Sequence, residues 1–238
     1  LQGGAGIDTF TVDGAGSVTL GGQDFDGMDT LSGQGDNDIF NLNADLGGTV
    51  NGDGGNDEFN LNANQSGQFN GGDGGDTFTL ADGVVLSFAG AAIVGGAGND
   101  TLNLAAHTNA TDSELDTTLT GVDAVNGDGF DGSVQVGGGG TPTTVTNFTG
   151  IDTLVGSADG AVTDTLTGRG VDSTWTQASY NDGTSTLAFS GISTAIGGAV
   201  GTQTLQGGAG IDTFTVDGAG SVTLGGQDFD GMDTLSGQ

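Results

Sequence analysis

The chain has 238 residues, 52 of them glycine and one proline, with no cysteine; 31 acidic residues face a single basic one, Arg169, for a formal net charge of -30. That balance excludes nucleic acid and anionic membrane surfaces as natural partners and favours cations. Without cysteine there is no disulfide framework, and glycine without a G-x-y period excludes collagen.

Residues 1–34 recur without change as residues 205–238, an offset of 204. Residues 1–204 therefore read as one complete repeat and 205–238 as the start of the next identical one, in a parent protein expected to hold many such units in series. No Ser-rich or Pro-rich linker marks the boundary. Ile196, Leu205 and Phe214 keep a nine-residue step across it, and the one proline, Pro142, lies far away. A continuous array is expected. No signal peptide begins at Leu1 and no apolar run reaches transmembrane length, so membrane insertion is not expected and any export signal is expected elsewhere in the parent.

In chain order, a short pattern repeats within the unit: U-x-G-x-x-x-x-D-x-U, with U a bulky apolar residue. It fits Leu1/Phe10 with Asp8, Leu31/Phe40 with Asp38, Val50/Phe59 with Asp57, Phe69/Phe78 with Asp76, Ile93/Leu102 with Asp100, and Leu205/Phe214 with Asp212. Weaker copies sit at Val125/Val134, Leu166/Trp175 and Ile196/Leu205. Each strong copy runs into a short alternating segment, FTV, FNL, FNL, FTL or LNL, whose middle residue (Thr11, Asn41, Asn60, Thr79, Asn103) is polar. One face is then core and the other solvent, the signature of a strand. The stretch 105–119, with the one histidine His107, reads as an exposed polar loop. A second element recurs at 27–33 (GMDTLSG), 121–127 (GVDAVNG), 150–156 (GIDTLVG) and 191–197 (GISTAIG), read as extra strands and turns that widen a coil.

Phe40, Phe59 and Phe78 are 19 residues apart. Stacked coils produce such constancy, and hairpins do not require it. The expected fold is all-β: a right-handed parallel β-solenoid with coils of about 19–30 residues, the three phenylalanines forming one interior ladder and Leu42, Leu61 and Leu80 a second.

The segments GGAGIDTF and GGAGNDTL resemble the RTX, or hemolysin-type, calcium-binding nonapeptide, and NFTGIDTLVGS and LAFSGISTAIGG resemble connecting segments of giant repetitive bacterial surface proteins. The resemblance covers roughly half the chain. It implies a secreted β-roll that folds on binding Ca2+. Carried over by position, Asp8, Asp38, Asp57, Asp76, Asp100 and Asp212 match the calcium-ligating aspartate. Gly4 and Gly6, or Gly96 and Gly98, match the turn whose carbonyls complete the site. The sequence departs from the family in rarely placing nonapeptides in direct succession, and in putting acids such as Asp53 and Asp73 inside the turn. Charge argues the same way: stacked carboxylates about 5 Å apart repel by roughly 1 kcal/mol in water and by several at an effective dielectric near 20. One basic residue cannot relieve a whole column; a hard divalent cation can.

Catalysis finds little support. There is no second histidine or cysteine for zinc, and Arg169 alone cannot build a basic cleft. Trp175 holds a U position and is expected in the core. The expected role is a structural, non-enzymatic repeat: a calcium-stabilised fibre, stalk or surface-layer segment of a giant protein at a bacterial cell surface. Its partners would be neighbouring repeats and other fibres. The alternative is a calcium-dependent adhesion or type I secretion module attached to a toxin or hydrolase.

Overall fold

The computed structural model describes residues 1–110, 113–124, 128–137, 143–217 and 221–237. Val125 and Pro142 lie outside them. The described chain is all-β, without a helix, and forms a 13-stranded and a 12-stranded sheet, both mostly parallel. Among the described residues no helix is long and apolar enough to cross a membrane.

The short pattern is what places the chain in two sheets. Its first apolar position lies in one sheet and its last in the other, with the Gly-rich turn and the aspartate between. In the 12-stranded sheet Leu31 pairs with Val50, Val50 with Phe69 and Phe69 with Ile93, all parallel. In the 13-stranded sheet Phe10, Phe40, Phe59, Phe78 and Leu102 pair in the same in-register way. These residues are all buried and belong to one hydrophobic cluster shared by both sheets.

The rings of Phe10, Phe40, Phe59 and Phe78 stack with centroids 4.9, 4.9 and 4.6 Å apart, the spacing of adjacent strands. Leu42, Leu61 and Leu80 form the second ladder beside them. Outward-facing amides are stacked too: Asn60 donates to Asn41 and Asn62 to Asn43 on one sheet, Asn70 to Asn51 on the other. Phe59→Ala removes a ring clamped on both faces. It should cost about 3–5 kcal/mol, read as a lower denaturant midpoint than that of Thr79→Ala on the outer face of the next strand.

The structure departs from an all-parallel arrangement in four places, where a three-stranded antiparallel meander is spliced into a sheet. The first joins Thr9–Gly14, Ser17–Leu20 and Gln23–Phe25. The second joins Glu114–Val122, Phe130–Val136 and Thr143–Ile151. The third joins Ser173–Trp175, Ser179–Asn181 and Thr186–Ser190, and the fourth is the second copy of the first, at Phe214–Val216, Val222–Leu224 and Gln227–Asp230. Each meander adds residues between stacked neighbours, so the step grows from 19 residues to as many as 52, beyond the expected 19–30. The loop reading of 105–119 is corrected in the same way, since Glu114 already begins a strand. The second recurring element forms ordinary sheet strands, Thr30–Ser32, Thr153–Val155 and Thr194–Ile196.

Candidate functional site: a column of buried aspartates

At the crossings from the 12-stranded to the 13-stranded sheet that lead into Phe40, Phe59, Phe78 and Leu102, the motif aspartate turns inward. Its Oδ1 accepts the backbone N–H of the matching aspartate one layer earlier. Asp8 N–H donates to Asp38 at 2.7 Å, Asp38 to Asp57 at 2.7 Å, Asp57 to Asp76 at 2.8 Å and Asp76 to Asp100 at 2.8 Å. The side chains thus replace a row of backbone acceptors where the turn interrupts the sheet ladder.

The other oxygen, Oδ2, lies against the Cα of the glycine five residues earlier. A Cβ built on Gly33, Gly52 or Gly71 would stand 2.2, 2.1 or 2.1 Å from Oδ2 of Asp38, Asp57 or Asp76. The glycine that opens the pattern is therefore required by close approach. Within the described residues no hydrogen-bond donor reaches the buried Oδ2 of Asp38, Asp57, Asp76, Asp100 or Asp212. Asp8, at the start of the column, differs: its Oδ2 accepts the Gly4 N–H at 2.6 Å.

Burial is the main influence on these carboxyls. Loss of water raises Asp57 and Asp76 to about 6 and Asp100 to about 7. The N–H donated to each opposes the rise, and neighbouring carboxylates add to it: Asp38 and Asp53 beside Asp57, Asp57 and Asp73 beside Asp76, Asp76, Asp152 and Asp128 beside Asp100. Asp38 is raised for the same reasons.

The turn acids stand outside the column. Asp53 adopts a left-handed conformation, φ 72°, and its Oδ2 accepts from Ser32 Oγ at 2.5 Å and Gln34 N at 3.3 Å. Asp73 is exposed. The Gly6 N–H donates to Asp36, and the Gly98 N–H to Asp128. Gly96 and Gly98 have φ of 114° and 129°, and a Cβ on either would press on the carbonyl of Gly72 or Gly74 in the layer beside it, at 2.2 and 2.0 Å. The same contact recurs one layer back, where a Cβ on Gly74 would meet the Gly55 carbonyl and one on Gly55 the Asp36 carbonyl. No group of three or more His, Cys, Asp or Glu side chains is placed to hold a metal ion among the described residues.

Several members of this system escaped the sequence pattern. Asp152, from GIDTLVG, continues the column by accepting Asp100 N–H at 3.0 Å, and burial raises it too. On another crossing Asp164 is buried and raised by desolvation to about 6, although its Oδ1 accepts the Ser157 N–H. Asp164's own N–H donates to Ser193 Oγ, the serine of GISTAIG. In the weak copies Ser173 and Gln203 stand where the aspartate would be. Both are buried and hydrogen-bonded to each other, and Gln203 N–H passes to Asp233 of GMDTLSG. The available signal was the shared D-T-U or S-T-A ending of the second element.

His107 is buried, not exposed. Its Nδ1 lies 3.7 Å from Asp82, and its carbonyl accepts the Ser157 hydroxyl at 2.6 Å. It borders an apolar cavity of about 110 Å³ lined by Leu80, Val84, Leu104, Leu115 and Val145. Arg169 pairs with Asp182. Trp175 is fully buried against Tyr180 and Phe189, as its U position implies.

No family model matches this chain, and no curated protein or solved structure shows significant similarity to it.

Proposed function

We propose that this chain is an extracellular structural repeat, a segment of a right-handed β-solenoid fibre, stalk or surface layer in a giant bacterial protein, stabilised by calcium. The observation that carries this reading is the unbroken file of in-register layers from Phe10 to Leu102, with its aspartate column, in a chain that repeats itself at 205. Each layer rests on the next by backbone pairing and ring stacking, so added repeats lengthen one object. The stacked outer amides and the acidic turns leave other fibres and cations as natural partners.

In the column calcium would be met by the orphaned Oδ2 atoms of Asp38, Asp57, Asp76 and Asp100, and Asp212, on a crossing of the opposite sense, presents the same unpartnered atom outside it. Asp53 and Asp73, in the turns outside the column beside Asp57 and Asp76, would add carboxylate oxygens on its solvent side. The ion supplies positive charge where the chain has none, and oxygen-only ligands suit it. The resemblance to RTX nonapeptides supports the same ion.

Electron microscopy of arrays with one, two and four repeats in millimolar calcium tests the reading. Rods should lengthen linearly, by about 4.8 Å for each strand added to a sheet. Beads separated by flexible gaps would refute it.

A further inference from the structure

The two copies of the 34-residue segment have one sequence and two sets of neighbours. In the first copy the opening strand Thr9–Gly14 pairs forward with Ile39–Leu42 in the 13-stranded sheet, while Gln23–Phe25 is a free edge. In the second copy the closing strand Gln227–Asp230 pairs backward with Thr194–Ile196 in the 12-stranded sheet, and Phe214–Val216 is the free edge. The last strand of the segment behaves likewise: Thr30–Ser32 pairs forward with Thr49–Gly54, and Thr234–Ser236 pairs backward with Gln203–Gln206. The bridge Gln2–Ser32 in the first copy is the same contact as Gln206–Ser236 in the second.

Burial is complementary in the same sense. Val12 and Leu31 are 0 % exposed, whereas their counterparts Val216 and Leu235 are 60 and 40 % exposed. Phe229 is fully buried, whereas Phe25 is only partly so. Each copy lacks the neighbour that the other possesses. The edges left open at one end are those that the next repeat fills, with known register on both sides, and unpaired edges invite such pairing.

The two copies also lie in different sheets. From Thr30–Ser32 to Thr234–Ser236 the chain crosses between sheets an odd number of times, so a strand at home in the 12-stranded sheet returns in the 13-stranded one. Resting on the solenoid reading above, we infer that the 34-residue segment is a splice through which the 12-stranded sheet of one repeat runs on into the 13-stranded sheet of the next, so that successive repeats are related by about half a turn about the rod axis. An interior copy makes both sets of pairings at once: its first strand with the layer after it, its third with the layer before. Any surface carried on one face of a repeat then appears on both sides of the rod, in alternate repeats. Such a rod has no distinct back and can contact like rods or another surface on either side.

The test is a three-repeat array carrying Glu58→Cys in each unit. Glu58 is exposed and the chain has no other cysteine, so a maleimide-gold label reports one position per repeat. Labels on alternate sides of a continuous rod are expected. Cryo-electron microscopy of the unsubstituted array gives the second readout: one continuous face should show the Phe59 strand in one repeat and the Phe69 strand in the next. A continuous rod with all labels, or all Phe59 strands, on one side overturns the exchange and leaves the rod. Beads on flexible gaps overturn both.

Discussion

In chelator, the melting temperature of the chain should fall as pH rises from 4 to 8, by on the order of 10 °C, and millimolar calcium should remove most of that fall. The groups responsible are Asp57, Asp76 and Asp164, raised to about 6, and Asp100, raised to about 7, against 3.8 for an ordinary aspartate. Because their folded values lie above the unfolded one, the folded chain holds more protons between pH 4 and 7. The stability they contribute is complete below about 3.8 and is lost as pH passes through 6 to 7. Above that range Asp57, Asp76 and Asp100 must ionise beside other carboxylates, among them Asp38, Asp53, Asp73, Asp128 and Asp152, while Asp164 must ionise in a buried site. Calcium binds the ionised form, so it stabilises most where protons no longer do. Circular dichroism melts at five pH values, in chelator and in calcium, decide the matter. A melting temperature that rises from pH 4 to 8 in chelator would sink the argument.

Asp76→Asn separates charge from hydrogen bonding in that column. The amide oxygen still accepts the Asp57 N–H, and the charge is gone. The variant should be more stable than the parent in chelator at pH 8 and less responsive to calcium. Asp76→Ala leaves the buried Asp57 N–H without an acceptor and opens a cavity, so it should lose about 2–4 kcal/mol in both conditions.

Gly71→Ala should be among the most damaging single changes available, costing on the order of 5 kcal/mol or preventing folding. The new Cβ would stand 2.1 Å from Asp76 Oδ2 and 2.5 Å from the Gly95 carbonyl. The carboxylate is buried and the carbonyl belongs to the neighbouring layer, so relief requires parting two layers of the stack. Gly21→Ala is the comparison. Gly21 sits at φ 59° with nothing within 4 Å of its Cβ position, so only backbone strain is added, about 1 kcal/mol. Denaturant midpoints of the two variants should differ widely. Equal midpoints would mean that the aspartate does not pack on the glycine as described.

The sequence alone determined which residues face inward and how often layers recur. A period of two in FNL and FTL places Phe40, Phe59 and Phe78 on one face, and the constant step of 19 makes them neighbours; both are local facts of spacing. The same spacing identified Asp38, Asp57, Asp76 and Asp100 as equivalent. What those side chains touch was decided only by the stacked layers, because Oδ1 meets an N–H from 19 or 24 residues away. Strand direction was also decided there, since a three-residue strand has the same apolar pattern whether its neighbour is parallel or antiparallel. One meander did leave a trace: Gly21-Gly22, with φ of 59° and 77° between SVTL and QDF, is the composition of a tight hairpin turn. The burial of His107 left none, because polar HTNATDSELD reads as solvent-facing and the packing around it comes from distant strands. The exchange of sheets between the two copies of residues 1–34 could not be read from identical letters at all. It follows from the parity of the crossings between them, a property of the chain's whole path.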